Sequence, residues 1–495
     1  LNIQKKSGGY PSYVWLALGC ILSLFIGMRW NVPVAAWLAP VFLIRFFRSQ
    51  DKWYKTLVAA PLLVLMAFVK FHGGWDLSIF GEIGLGFVLI IPMLVTLYLD
   101  RAFACRDGIL ATLVYPSVCT ALEYLIGLTP IGTSLSIAVT QFDSLPLIQL
   151  ASVTGIWGIS FIIGWFASIM NVLWENGFAV KKALGPVSVF TAIFGLVLFS
   201  GGLRLVALRP EVETVRIGGV TVVQPTDYWA EIIDKGTPVD IAHQYDAEFE
   251  SLEESLFTKS EQVVQIGAQI VFWSEANVVL HPDEEAVFLE RAQTFAREHN
   301  IYFAPAMLVF KYDEMYADNK LVMITPNGDI AYNYEKTMSW YETNSDGILH
   351  VLDTPYGRIS MAICFDMDFP HFIRQAARQD VDIMLVPAFD WEPIKTFHTQ
   401  VGLFRGIENG FSIIRQVNKG TSMAIDYLGR VIAYQDFFTT PNRTMVVDVP
   451  IEGVETVYGA LGDWVAYITV LFTVGTIVWG IFRRHAWSNS SRSSS

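Results

Sequence analysis

Residues Ser360 to Phe372 read SMAICFDMDFPHF. The run from Arg358 to Ile363 has the apolar texture of a β-strand, and Pro370 suits the first turn of a helix. Cys364 stands at the join. Of the four cysteines in the chain, Cys20, Cys105 and Cys119 lie in the first quarter, inside or beside long apolar segments. Cys364 therefore has no partner nearby in sequence. A thiol in such a place is either a small buried hydrophobe or a nucleophile, and the rest of the chain has to decide between them.

Composition comes next. With 495 residues, 53% hydrophobic and only 16% charged, the chain is too long for one ordinary domain and too apolar for a soluble one. Crossing the hydrocarbon core takes roughly 20 mostly apolar residues. Eight segments qualify, near 12–28, 32–47, 55–71, 80–99, 108–127, 150–172, 186–207 and 463–482, the second being interrupted by Pro33 and Pro40. Lysine and arginine recur in alternate connections: Lys5 and Lys6, then Arg45, Arg48, Lys52 and Lys55, then Arg101 and Arg106, then Lys181 and Lys182, then Arg483 and Arg484. The intervening loops are poor in them. Cytoplasmic loops carry that excess, so both termini are expected in the cytoplasm and the segment 208–462 outside it. The expected organisation is a membrane domain of seven helices over 1–207, an extracytoplasmic domain over 208–462, an eighth span over 463–482 and a cytoplasmic tail over 483–495. A signal peptide is the alternative for the first span, but no small-residue cleavage site follows Met28. Ser488–Ser495 reads as an irregular end. A net charge of −13 argues against a nucleic-acid partner.

From Arg216 the texture changes to short β-rich runs between polar helices. VTVVQ (220–224), IVFWSE (270–275) and IYFAPAMLVF (301–310) read as buried strands. Asp240 to Gly267 and Pro282 to Asn300 have helical spacing with acidic first turns. Hairpins are expected at Asn327-Gly328 and at Pro355-Tyr356-Gly357, followed by VDIMLVPAFD (381–390), a helix near 395–409 and a strand pair around Gly429. Strands alternating with helices and then joined by hairpins argue for α/β layers.

Glu275, Lys336 and Cys364 each stand at a strand end, where such sheets open onto clefts. Together they suit acyl transfer through a thioester. A thiol is mostly protonated at neutral pH, so a carboxylate must take its proton as it attacks, and an ammonium steadies the thiolate and the oxyanion. His398 offers the competing Cys-His pair, or a structural hydrogen bond, since it shares a helix face with Arg405. Trp340, Tyr341, Phe389 and Trp391 lie in loops that could line a pocket, form a lid or anchor at the interface. Glu123, at membrane depth, is either functional or a buried contact to the outward domain. No His/Cys cluster with ligand spacing, phosphate-cradling glycine loop or internal repeat is evident, so no metal or cofactor is expected.

In order, WSEAN with Glu275, YEK with Lys336 and ICFDMDFP with Cys364 resemble the carbon-nitrogen hydrolase (nitrilase) superfamily, which implies an αββα sandwich and a Glu-Lys-Cys triad. Seven spans before such a domain and one after it resemble the layout of the bacterial apolipoprotein N-acyltransferase family. Residues 148–165, IQLASVTGIWGISFIIGW, and 397–431 resemble that family too, the latter with His398, Arg405, Glu408, Asn418 and Gly420 in register. Three departures stand out. Trp273-Ser274-Glu275 replaces Trp-Pro-Glu, and Cys364-Phe365-Asp366 replaces Cys-Tyr-Glu. After Lys336, TMSWYETNSDG replaces a stretch holding a further essential glutamate, for which Glu342 is the only candidate. Asp366, Glu342, His398 and Asn418 are therefore auxiliary candidates.

The resemblance implies a ping-pong reaction in a bacterial inner membrane. Glu275 is the base, Cys364 the nucleophile and Lys336 the oxyanion partner. The donor is a phospholipid such as phosphatidylethanolamine, the acceptor is the α-amine of a diacylglyceryl-cysteine apolipoprotein, and the enzyme is expected to be monomeric. The alternatives are a membrane-tethered amidase, with water replacing the amine, and a transporter or non-catalytic lipoprotein-binding protein.

Overall fold

The computed structural model describes residues 12–74, 78–104, 108–208, 213–224, 243–311, 317–339 and 343–492. Among them, six helices are long and apolar enough to cross a membrane: Trp53–Phe71, Ile79–Phe103, Ile109–Gly127, Ile156–Glu175, Leu184–Ala207 and Trp464–Phe482. The first two expected spans differ. Tyr13–Ser23 has 11 residues, and the chain then turns through Gly27 and Met28, both at positive φ. Pro33–Ser49 has 17, with Pro33 starting it and Pro40 inside it; at 1.5 Å per residue that is about 25 Å, short of the roughly 30 Å hydrocarbon core. The last helix continues to Arg492, past its expected end at 482 and into the serine-rich tail.

Side chains such as Phe80, Phe199 and Leu471 point outward from their helices, as lipid-facing residues do. Ile156–Glu175 is the central helix, 72% buried against 11% for Leu184–Ala207. Two acidic groups inside the bundle are paired. Arg48 grips Asp100 with two bonds of 2.7 and 2.8 Å, joining Pro33–Ser49 to Ile79–Phe103. Glu123 accepts from Ser136 at 2.5 Å and Ser160 at 2.9 Å, so these partners belong to the membrane region and not to the outward domain.

The α/β region has two sheets. The first runs Thr444–Pro450, Thr214–Val220, Ile270–Trp273, Tyr302–Ala304, Asp318–Ile324, Ala306–Val309, Val278–Leu280, with Ile330–Glu335 pairing to Asp318–Ile324. The second runs Val431–Asp436, Thr421–Ile425, Ser412–Asn418, Ile383–Phe389, Gly357–Met361, Val351–Thr354. Two adjacent glycines explain how the layers fit. A side chain at Gly218 would collide with Val263 of the helix Asp246–Gln265, and one at Gly219 with Gln416 of the second sheet. Successive strand residues point to opposite faces, so helix and sheet approach this strand from its two sides. The helices Pro370–Ala377 and Lys395–Asn409 accompany the second sheet, which completes an αββα sandwich. The central strand Ile383–Phe389 is buried from Ile383 to Ala388, each large apolar side chain there contributing about 1.5–3 kcal/mol.

Two expectations need correction. The strand expected at 220–224 is Thr214–Val220; Gly218 and Gly219 hid it, because glycine weakens a strand pattern while admitting the close neighbours. The run 301–310 is two strands that part at Pro305, whose nitrogen cannot join a ladder. Tyr302–Ala304 pairs parallel to Ile270–Trp273, whereas Ala306–Val309 pairs antiparallel to Asp318–Ile324. Both expected hairpins form, with Gly328 and Gly357 at φ +82° and +91°.

Membrane region and sandwich are joined by directed bonds. Ile156 N–H, at the head of the central helix, donates to Glu408 Oε1 at 2.9 Å. Trp157 Nε1 donates at 2.6 Å to Asp463, at the start of the last span, which also accepts from Tyr458 Oη at 2.8 Å, and Thr133 donates through N and Oγ1 to the Asp368 carbonyl at 2.9 and 2.8 Å. Glu408 satisfies a helix N–H that has no partner within its own helix. The two stretches singled out in sequence, 148–165 and 397–431, thus meet here.

Candidate active site

Glu275 follows Ile270–Trp273 by two residues, and its carboxylate is buried and fully used. Oε1 accepts from Lys336 Nζ and Asn319 Nδ2, each at 2.7 Å, and Oε2 accepts from Phe389 N–H at 2.8 Å. Lys336 directly follows Ile330–Glu335, and its backbone N–H is held by the Asn319 carbonyl at 2.9 Å. These bonds tie the first sheet to the end of Ile383–Phe389 in the second.

Cys364 opens a short turn, Cys364–Asp368, at φ +48°. A left-handed conformation in a residue with a Cβ costs about 1–2 kcal/mol and collects at functional loops. Ala276, beside Glu275, and Lys419, beside Asn418, share it at φ +48° and +54°. The Cys364 sulfur is 3.7 Å from the carbonyl oxygen of Phe389, whose N–H holds Glu275, so Glu275 and Cys364 meet around one residue. Burial pushes the thiol well above its ordinary range; the charge of Glu275 adds to that, while Lys336 and Arg415 pull it down. A resting thiol of this kind is protonated at neutral pH and needs a base as it attacks.

Asp366 shapes the turn. Its carboxylate accepts from Tyr334 Oη and Met338 N at 2.6 Å, Ile363 N at 2.9 Å and Thr337 N at 3.1 Å. It therefore binds the strand before Cys364 to the two residues after Lys336. Burial raises it to about 6, against the pull of these donors.

His398 is bonded on both nitrogens, to Asp390 at 2.6 Å and to Asp368 at 3.1 Å. Burial opposes its charge, but the two carboxylates win and raise it to about 9. His398 thus forms an Asp-His-Asp bridge, the geometry of a structural hydrogen bond and not that of the alternative Cys-His pair. Asn418 ends the strand Ser412–Asn418; its backbone carbonyl accepts from Asp390 N at 2.9 Å, and its buried amide has no hydrogen-bond partner among the described residues. Phe389 lies under Lys419 Nζ, 5.2 Å from its ring centre, and Trp391 Nε1 donates to the Gly74 carbonyl at 3.1 Å. Trp340, Tyr341 and Glu342 lie outside the described residues.

Sequence reasoning missed Asn319, Asp368, Asp390 and Arg415. Only Arg415 left a visible signal, a cation in the middle of the apolar strand SIIRQVN. Cys364, Asp390 and His398 have the mutual spacing of metal ligands, but the Arg415 guanidinium lies among all three, and this group is an ion network. His243, Asp246 and His281 have similar spacing at the edge of the first sheet.

Sandwich and site define the class: a carbon-nitrogen hydrolase domain carried on membrane helices. The carbon-nitrogen hydrolase pattern matches residues 237–458, and that of the apolipoprotein N-acyltransferase N-terminal domain matches 12–169. An apolipoprotein N-acyltransferase of Haemophilus ducreyi is 22% identical over 95% of this chain and 97% of its own. One from Thermotoga maritima is 23% identical over 79% and 75%. Among solved structures, a carbon-nitrogen hydrolase of Helicobacter pylori aligns over 48% of this chain and 90% of its own, at 13% identity and a TM-score of 0.39. The chain belongs to the apolipoprotein N-acyltransferase family.

Proposed function

We propose that this protein is a bacterial membrane acyltransferase of lipoprotein biosynthesis that carries a fatty acyl chain from a phospholipid to the α-amine of an apolipoprotein through a thioester on Cys364. The observation that carries this reading is the Glu275–Lys336 ion pair, 2.7 Å long and bonded to Phe389 N–H, next to a buried thiol whose loop is tied to the membrane region at Asp368.

In the first half-reaction Glu275 takes the Cys364 proton as sulfur attacks the ester carbonyl. Lys336 and main-chain N–H groups hold the oxyanion, and the lysophospholipid oxygen leaves with that proton. In the second, the acceptor amine attacks the thioester, Glu275 takes the amine proton, and the sulfur is released. Burial of the site favours the amine over water, because few waters reach the thioester. Both substrates are anchored in the bilayer, and the Thr133–Asp368 contact fits a nucleophile held close to it, on the extracytoplasmic side indicated by the arginine and lysine pattern. The phospholipid is proposed to be phosphatidylethanolamine and the working unit a monomer.

The test is the intact mass of the protein after incubation with phosphatidylethanolamine and no acceptor. An acyl adduct that hydroxylamine removes, and that Cys364→Ala lacks, is expected. Folded protein with no adduct would overturn the phospholipid donor and favour amide hydrolysis.

A further inference from the structure

The charges around Cys364 extend beyond the Glu275–Lys336 pair. Arg415 is fully buried in the second sheet, with Nη2 at 3.9 Å from Cys364 Sγ and Nη1 at 3.4 Å from the Cys364 carbonyl oxygen. The same Nη2 reaches both oxygens of Asp390 at 3.2 and 3.4 Å, and His398 joins Asp390 to Asp368. Ser134, in the loop between two membrane helices, donates to Asp368 Oδ2 at 2.6 Å. One continuous set of contacts therefore runs from the membrane region to the sulfur.

The charge balance gives this set a task. Glu275 and Asp390 are the carboxylates, and Lys336 and Arg415 the cations, whose charges act on the thiol, and Asp390 is joined through His398 to Asp368. Lys336 pairs with Glu275 at 2.7 Å, and His398 is bonded on both nitrogens. Arg415 places Nη2 within sulfur hydrogen-bond reach of Sγ, and its Nε has no acceptor among the described residues. A thiolate appearing on a buried sulfur needs such a cation, because burial removes most of the solvation that would otherwise steady its charge.

We propose that Arg415 is a catalytic residue that holds the Cys364 sulfur whenever it carries charge, and that Asp390, His398 and Asp368 are positioning residues linking it to the Thr133–Ser134 loop. This deepens the acyl-transfer reading and rests on it. When the thioester forms, the sulfur–carbon bond replaces the ester carbon–oxygen bond and the sulfur charge disappears. When the amine attacks, the new nitrogen–carbon bond forms, the carbon–sulfur bond breaks, and its electron pair returns to sulfur facing Arg415. The amine proton passes through Glu275 to that sulfur. Lys336 thus serves the carbonyl oxygen and Arg415 the leaving thiolate, two places where charge develops in turn.

The experiment measures iodoacetamide alkylation of Cys364 against pH in the full-length protein, read at the Cys364 peptide by mass spectrometry, beside the phospholipid adduct assay. In Arg415→Gln the alkylation midpoint is expected to rise by at least one pH unit, about a tenfold slower reaction at fixed pH, with partial recovery in Arg415→Lys. An unchanged midpoint in folded Arg415→Gln overturns the proposal. Should Arg415→Gln fail to fold, His398→Gln is read instead; a smaller upward shift is expected, and an unchanged midpoint overturns the proposal equally. Alkylation needs no phospholipid, so a shifted midpoint without any acyl adduct would retain the role of Arg415 and reject the acyl-transfer reading.

Discussion

The two sheets equip the site in different ways. The first supplies Glu275 and Lys336, a pair completed by Asn319 and one backbone N–H. The second supplies Cys364 inside a set of buried charges, Asp366, Asp368, Asp390, His398 and Arg415, that reaches the membrane helices. The Glu275 side, proposed as the base, can be understood pair by pair. The nucleophile side is collective: each charge is tolerable only because its neighbours are present, and removing one member strands another. Acid–base chemistry needs one well-placed carboxylate, whereas an anionic sulfur in a dry enclosure needs its whole surroundings to be arranged beforehand.

The sharpest break in this contrast is at the chemical groups themselves. Glu275→Gln keeps the shape and removes the base, and the adduct-forming rate by intact mass is expected to fall at least about a hundredfold, the lower end of what general-base catalysis supplies, with a loss of stability as well, since one amide NH₂ must face the donors that now bind a carboxylate. Next comes Glu408→Ala, at the joint between sandwich and membrane helices. It leaves Arg405 buried without its anion, 3.0 Å away, and Ile156 N–H without an acceptor. A destabilisation of about 3–5 kcal/mol is expected in thermal or denaturant unfolding, less for Glu408→Gln, which keeps an acceptor oxygen.

Asp366→Asn turns one oxygen toward donors as an NH₂ group. About 1–3 kcal/mol of stability should be lost in unfolding experiments, together with a slower acylation as the residues after Lys336 loosen. The contribution of His398 depends on pH in a definite direction. Its folded value of about 9 lies above the ordinary 6.5, so its stabilisation is complete below about pH 6.5 and is lost as pH rises through about 9. Melting temperatures taken at pH 7 and pH 9.5 should drop more for the natural protein than for His398→Gln. The smallest effect is expected from Ser134→Ala, about 0.5–1.5 kcal/mol in unfolding. If Ser134→Ala instead matches Glu408→Ala, the membrane loop carries more of the nucleophile side than one hydrogen bond implies.

Much of this was legible along the chain. Spans of about 20 apolar residues and the change of texture near Arg216 follow from what lipid and water each exclude. Glu275, Lys336 and Cys364 could be picked out because strand ends are local features, and each stands beside a strand that the pattern itself reveals. Boundaries failed where one residue had two meanings. Gly218 and Gly219 looked like a break and are a site of close packing, and Pro305 looked like an interior residue of one strand and separates two.

By itself, the sequence determined which segments could be membrane helices, which could be strands, and which residues could act as base, cation and nucleophile. Those properties depend on neighbours within a few positions, through hydropathy, periodicity and side-chain chemistry. Tertiary structure alone decided that Arg415 faces the Cys364 sulfur, that His398 bridges Asp390 and Asp368 instead of serving the thiol, and that Glu408 caps the central membrane helix. These partners are 51, 8 and 30, and 252 residues apart. Charges separated so far along a chain interact only once packing has brought them together and removed the water between them.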